Sequence, residues 1–302
     1  MAADPDSLMD PRTVVIIATK GRPQEVSALL STLERQTVRP DMIVVSACDH
    51  DDVDQSVADE KGVQVLFGPP GLAAQRNRAL ALVHATHDII VFFDDDFIPS
   101  RFWIERVRGL LARQPEVGCV TGKVLENGVA TGGIKWSHGQ SIVDGEDRKS
   151  APTNTLRAQH PCSPYGCNMA FRATAIEHFW FDERLALYGW LEDRDFGFRV
   201  ATRGKAILTD VVWGVHLGST RGRVSGLKFG YSQVVNPWYL MTKGVLKPGE
   251  LCQLILFGLG ANALGTVLRN SHIDRYGRLK GNMIGIKDIV LNRWAPERIV
   301  EF

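Results

Sequence analysis

Apolar and polar residues alternate in blocks along the first hundred positions. Val14 to Ala18 is a short apolar, β-branched run, and Met42 to Ser46, Val63 to Phe67 and Ile89 to Phe93 repeat the pattern. Runs of this length, bounded by turn residues, predict buried strands. After Pro23, which suits a helix's first turn, Val26, Leu29, Leu30 and Leu33 recur at helical spacing. A second helix is predicted from about Leu72 to Thr86, behind the rigid loop Gly68-Pro69-Pro70-Gly71. Strands alternating with helices predict an α/β class with a parallel sheet and right-handed crossovers.

Beyond this block the pattern changes. Residues 126–160 are rich in Gly, Ser, Thr, Asn and charge, which predicts long loops around one or two short strands. From Tyr165 periodicity returns. Asn168 to Arg172 is predicted as a strand, Thr174 to His178 as a short helix and Leu191 to Arg203 as a helix opened by acids. Ala206 to Val215 is a predicted strand ending in His216, and the chain past Leu227 reads as mostly helical. Leu251 to Leu268 carries no charge, but Gln253, Asn262, Thr266 and three glycines dilute it. A spanning helix needs about 20 predominantly apolar residues, so a buried or interfacial helix is expected here. The organisation expected is a frayed tail (1–11), an α/β domain (12–225) and a helical C-terminal region (226–302).

Charge narrows the partners. The net charge is +1, which leaves no nucleic-acid footprint. Residues 269–298 nonetheless carry seven Lys or Arg against three acids. Such an end suits an anionic membrane surface or an ordinary solvated helical face. Five irregularly spaced cysteines argue against a disulfide framework and for a reducing compartment. His160, Cys162 and Cys167 lack the second ligand pair of a structural zinc site. The N-terminus is acidic and polar before Val14, unlike a signal peptide.

The candidate chemistry centres on Asp94-Asp95-Asp96, directly after the predicted fourth strand. Open α/β sheets bind ligands at the carboxyl ends of their strands. Carboxylates this close stay ionised together when a hard divalent cation neutralises them, and such an ion can grip a diphosphate. An acidic surface turn is the plainer reading. Four weaker signals accompany it. Ala18-Thr19-Lys20-Gly21-Arg22-Pro23 is a strand-to-helix turn suited to a nucleotide edge. Asp49 follows the second strand, among the competing acids Asp51, Asp52 and Asp54. Arg76 and Arg78 lie early in the helix after Gly71 and suit either phosphate pairing or a solvated face. Glu192 and Asp193 follow Trp190 at a helix start, as caps or as a proton acceptor, and His216 ends a strand.

In this order the motifs resemble those of the family 2 inverting glycosyltransferases. That family's pattern runs through a strand with Thr-x-x-Arg-Pro, an acid after strand two, a Gly…Ala-x-Arg-Asn helix, an Asp-x-Asp-type metal motif and a later Glu-Asp pair. Here these correspond to Thr19 to Pro23, Asp49, Gly71…Gln75-Arg76-Asn77, Asp94-Asp95-Asp96 and Glu192-Asp193, over residues 12–220. The frequent Asn before Arg-Pro is Gly21 in this chain. Asn236-Pro237-Trp238-Tyr239-Leu240 and Gly281 to Arg293 are similar to the tails of bacterial polysaccharide-assembly members.

The resemblance implies a Rossmann-like GT-A fold, with a central, mostly parallel sheet flanked by helices and a helical C-terminal extension. It implies donor binding by Ala18, Thr19, Arg22, Asp49, Arg76, Asp94 and Asp95. Asp96, with His216, would ligate Mn²⁺ or Mg²⁺. Asp193 would deprotonate the acceptor, Trp190 and Glu192 would shape its site, and Arg221 and Arg223 would meet the diphosphate. A UDP-hexose donor is expected first, with dTDP-rhamnose and GDP-mannose behind it. A glycan or lipid-linked acceptor at the cytoplasmic side of the inner membrane is expected with it. The competing readings are an Asp-x-Asp phosphohydrolase, a nucleotidyltransferase, and an inactive nucleotide- or glycan-binding module. The first wants its motif on strand one, and the second wants a Gly-rich loop there.

Overall fold

The computed structural model describes residues 11–149, 156–157, 163–222, 224–268 and 273–302. Two compact units divide the chain. Residues 1–69, 75–180 and 196–221 form one, and residues 70–74, 181–195 and 222–302 the other.

In chain order the elements are β1 (Thr13–Ala18), α1 (Pro23–Glu34), β2 (Met42–Ala47), α2 (Gln55–Glu60), β3 (Gln64–Phe67), α3 (Leu72–Val83), β4 (Ile89–Asp94) and β5 (Phe97–Pro99). Then come α4 (Trp103–Arg113), β6 (Val117–Asn127), α5 (Trp136–Lys149), β7 (Leu156–Arg157), β8 (Asn168–Arg172), α6 (Ala173–Ile176), α7 (Glu192–Val200) and β9 (Lys205–His216). Three long helices follow: α8 (Gly226–Thr242), α9 (Pro248–Val267) and α10 (Arg275–Val290), with a final 3-10 turn at Pro296–Glu301.

All nine strands found among the described residues join one sheet in the first unit, in the order β3-β2-β1-β4-β8-β6-β9-β5, with β7 on β9. The alternating blocks of the sequence build its parallel half, β3-β2-β1-β4, where each crossover carries a helix. β8 then runs antiparallel to both β4 and β6, and β5 runs antiparallel to β9. The apolar runs of β1 and β4 are buried on both faces, as strands covered by helices must be. Val26, Leu29, Leu30 and Leu33 of α1 and Trp103, Ile104, Val107, Leu110 and Leu111 of α4 join one core with Val15, Val45, Val91 and Phe93.

One expectation changes. Residues 126–160 include the 14-residue helix α5 as well as loop, and its buried positions are Gly139, Val143 and Asp147. Gly139 lies where a Cβ would crowd Leu217, Ile98 and Val215, so a glycine is needed at this contact. The buried Asp147 accepts hydrogen bonds from Ser100 Oγ (2.7 Å), the Arg101 amide (3.0 Å) and Trp213 Nε1 (2.9 Å). The chain past Leu227, expected to be mostly helical, begins with α8, which Ser225 N-caps through its hydroxyl.

In the second unit α8 and α10 pack backbone to backbone. A Cβ on Gly281 would collide with the Leu227 carbonyl, and one on Gly230 with the Arg278 carbonyl. Tyr231, Val235 and Ile299 form one apolar cluster of this unit; Leu185, Tyr239, Leu240 and Leu246 form another. Asp182 accepts from the Tyr239 hydroxyl (2.8 Å) and from Lys243 Nζ (2.7 Å), and Lys243 also reaches Asp195 at 2.6 Å.

Candidate active site

The acidic cluster sits where β4 ends. Parallel pairing sets Ala18 of β1 opposite Asp94, and β5 pairs with β9 so that Phe97 lies opposite His216. Gly214 makes this second pairing feasible, because a Cβ there would run into the Phe97 ring. The Leu217 amide then donates to the Asp96 carbonyl at 2.9 Å. Two strand ends far apart in sequence thus deliver Asp94, Asp96 and His216 to one place.

Their ligand atoms lie within 4.8 Å of one another, the one such trio among the described residues. His216 Nε2 is 3.3 Å from Asp96 Oδ1 and 4.0 Å from Asp94 Oδ2. Asp96 and His216 are buried, and Asp94 is half-buried. Burial alone would raise the Asp96 carboxyl, but the His216 ring, Arg22 and the Ser219 amide (2.6 Å) hold it below the ordinary carboxylate range. Burial alone would lower the His216 imidazole, yet the hydrogen bond and charge of Asp96, with Asp94 behind it, raise it. On its other side, Nδ1 lies 3.1 Å from the Tyr165 hydroxyl, which accepts from Asn127 Nδ2 at 2.9 Å. Two carboxylates and one imidazole, oriented by an outer hydrogen-bonded pair, form a donor set that fits Mn²⁺ or Mg²⁺.

The middle aspartate is placed differently. Asp95 is buried and accepts from Thr19 Oγ1 (2.7 Å) and Arg22 Nη1 (2.6 Å). Burial pushes its carboxyl up, against the pull of Arg22, and the neighbouring Asp96 charge adds to the push. Thr19, Arg22 and Asp95, all expected at the donor, are thus bound to one another. Arg76 is also buried; it donates to Asp94 Oδ1 and to the Gly166 carbonyl, both at 3.0 Å. Its observed bonds therefore orient Asp94.

The β1–α1 turn is fixed from several sides. Gln75 Nε2 donates to the carbonyls of Thr19 (2.7 Å) and Ser46 (2.8 Å). Gly21 has φ +68 and donates its amide to Asp52 Oδ1 at 2.6 Å. Asn tolerates this left-handed conformation better than most residues do, so Gly21 in place of the frequent Asn keeps the turn. Asp52 also accepts from the Cys48 (2.8 Å) and Asp49 (2.9 Å) amides, and Asp54 caps α2. These bonds separate the competing acids, leaving Asp49 exposed at the end of β2.

Arg221 donates to Gln24 Oε1 at 2.7 Å, and its carbonyl accepts from Arg22 Nε at 2.7 Å. Ser219 Oγ donates to Glu25 at 3.2 Å, so the loop after β9 is tied to the start of α1. Arg223 lies outside the described residues.

In the second unit, Glu192 and Asp193 open α7, Glu192 buried and Asp193 half-buried. The approach to them is strained. Leu187, Gly189 and Leu191 all have left-handed φ values, of 57°, 64° and 74°, which a leucine adopts only at a cost. The Glu192 amide donates to the Gly189 carbonyl (2.8 Å), and Asn236 Nδ2 holds the Trp190 carbonyl (2.9 Å). Trp190 and the exposed Tyr188 both pack on Phe229, with ring centroids 5.9 and 5.6 Å away. Tyr165, Asn127, Tyr188 and Phe229 carry no local sequence signal. Contacts across many residues bring them in.

A family model described as "Glycosyl transferase family 2" matches residues 14–180. No curated protein sequence matches the chain. Among solved structures, S. aureus TarS is similar with a TM-score of 0.53 at 15% identity, covering 81% of this chain and 42% of that one. This chain therefore spans less than half of that TarS chain. TarS 1–349 in complex with UDP gives a TM-score of 0.51 at 15% identity, over 80% of this chain and 69% of that one. Glucosyl-3-phosphoglycerate synthase from Mycobacterium tuberculosis, in complex with Mn²⁺, UDP and glucosyl-3-phosphoglycerate, gives 0.51 at 16% identity, over 82% and 87%. These likenesses are of fold, the GT-A type.

Proposed function

The chain belongs to glycosyl transferase family 2, and from that premise we propose an inverting, metal-assisted hexosyl transfer from a nucleotide-diphosphate sugar to an acceptor hydroxyl. The observation that carries the proposal is the convergence of Asp94, Asp96 and His216 at the carboxyl ends of β4 and β9. UDP is the favoured nucleotide, because the similar TarS and glucosyl-3-phosphoglycerate synthase structures are UDP complexes. dTDP-rhamnose and GDP-mannose are the next donors. Asp94, Asp96 and His216 would hold Mn²⁺ or Mg²⁺, which when bound offsets charge on a diphosphate leaving group.

Each neighbouring residue then has a task. Ala18 and the exposed Asp49, at the ends of β1 and β2, line the donor's nucleoside. Thr19 and Arg22 act by fixing Asp95, and Arg76 acts by fixing Asp94. Arg221 and Arg223 are the candidate diphosphate contacts, Arg221 once it leaves Gln24. Asp193 is the general base that takes the acceptor proton as the hydroxyl attacks the anomeric carbon from the face opposite the leaving group. That single displacement inverts the configuration. Trp190 and Glu192 shape the acceptor site, with Tyr188 and Phe229 widening its aromatic wall. Residues 12–225 form the catalytic domain and 226–302 its helical extension. The acceptor is a glycan, carried on lipid at the cytoplasmic face of the inner membrane.

Calorimetric titration with UDP, dTDP, GDP and their sugars, with and without Mn²⁺, tests the reading. Tight metal-dependent binding of one nucleotide class, lost in Asp96→Ala, supports it. A folded chain that binds none of them overturns it and favours phosphohydrolase chemistry.

A further inference from the structure

α9 turns an uncharged, largely apolar arc outward. Its outward positions are Cys252, Gln253, Leu256, Phe257, Gly260, Ala263, Leu264 and Val267, continuing to Leu268 at the C-cap, and they include no charge. At about 100° per residue these fall within one arc of roughly 160°, along about 24 Å of axis. Phe257 and Val267 are each 78% exposed, and Leu256, Leu264 and Leu268 exceed 60%. The inward face buries Leu251, Gly258 and one amide, Asn262. Asn262, fully buried, donates to Gln233 Oε1 and Asn282 Oδ1, each at 2.8 Å, and accepts from Arg275 Nη1 at 3.2 Å. Asn282 Nδ2 closes the network on the Gly230 carbonyl at 2.7 Å. A helix packed for water presents polar and charged residues on its outward face. Here the hydrogen bonds of Asn262 are satisfied inside while Leu256, Phe257, Leu264, Val267 and Leu268 face out, the arrangement that suits hydrocarbon.

We propose that α9 docks in the interface of an anionic lipid bilayer, with its outward apolar face among the acyl chains. Length and composition alone would let α9 cross a membrane. Its inward face is occupied by the hydrogen-bonded network, so one face remains for lipid, as in an in-plane helix. Charge selects lipid over a second copy of the chain. After α9, residues 269–298 hold seven Lys or Arg against Asp274, Asp288 and Glu297. All three acids are engaged: Asp274 caps α10, Asp288 pairs with Arg298, and Glu297 pairs with Arg184. The exposed side of α10 interleaves Lys280 and Lys287 with Tyr276, Met283 and Val290, a pattern in which lysine stems lie along apolar surface and their ammonium groups reach headgroups. A second copy would bring like charges together, whereas phosphate headgroups would meet opposite ones.

The test is co-sedimentation of the full chain with vesicles of phosphatidylcholine, with or without phosphatidylglycerol. The native chain is expected in the pellet, more strongly with phosphatidylglycerol. Phe257→Glu combined with Leu264→Glu, both at exposed positions, is expected to lower partitioning at least about ten-fold with an unchanged thermal midpoint. Lys280→Gln and Lys287→Gln keep the apolar face and should each weaken binding to the anionic vesicles alone by about five-fold. The proposal fails if the folded native chain stays in the supernatant with both vesicle types. It fails equally if the double glutamate variant pellets as the native chain does, or if the chain is a dimer that this variant disperses. No donor or acceptor is present in the assay, so its failure leaves the transfer reading untouched.

Discussion

The Tyr165 hydroxyl stands 3.1 Å from His216 Nδ1, on the side of the ring away from Asp96. It makes the imidazole's orientation a property of β8's approach as well as of β9. Tyr165→Phe keeps the edge-on ring contact of 5.7 Å and removes only the hydroxyl. Mn²⁺ affinity is expected to fall about 10-fold to 100-fold in this variant, with little change in the unfolding midpoint. Metal titration followed by calorimetry checks it.

Asp193→Asn should separate chemistry from binding. The amide cannot take a proton, so turnover with saturating donor and acceptor is expected to fall by about 10² to 10⁴. Nucleotide affinity should stay near that of the native chain. A variant that loses nucleotide binding to the same degree would remove Asp193 from the general-base role.

Asp182 gives stability a pH dependence. Burial alone would raise its carboxyl, but the hydrogen bonds from Lys243 and Tyr239 hold it below its ordinary value. Its contribution is therefore fully present above the unfolded carboxylate pKa of about 3.9 and is lost as pH falls through the depressed folded value. Asp182→Asn should be less stable than the native chain at neutral pH, and the gap should shrink on acidification below about pH 4. Urea unfolding across that range measures both.

Gly281→Ala tests the close crossing of α8 and α10. The added methyl has only backbone to meet, the Leu227 carbonyl and the Tyr231 amide, so the helices must part. A loss of about 3 kcal/mol is expected. Gly249→Ala, where a Cβ would meet open space, serves as the control and should cost far less.

β1, β4 and β8 were legible because each is a short apolar run buried nearly throughout, and β8 lies at the very residues its pattern predicts. α5 was not, because its inward positions are a glycine, a valine and an aspartate, and such a face has no apolar period. The acidic motif announced itself, but its division of labour did not. Asp94 and Asp96 join His216 while Asp95 turns to Thr19 and Arg22, a separation made by the turn between β4 and β5. Arg76 looked equally suited to phosphate or solvent and proved to be buried against Asp94, because β4 lies beside α3 only once the sheet is assembled.

The antiparallel register of β5 on β9 carries a last consequence. His216 reaches the aspartates only because it sits opposite Phe97. A shift of one residue would swing the imidazole, with every other side chain of β9, to the opposite face of the sheet. Ion affinity is then a gauge of strand alignment. A core substitution along β9, far from any carboxylate, that disturbs this pairing would be read out in ion affinity as well as in stability.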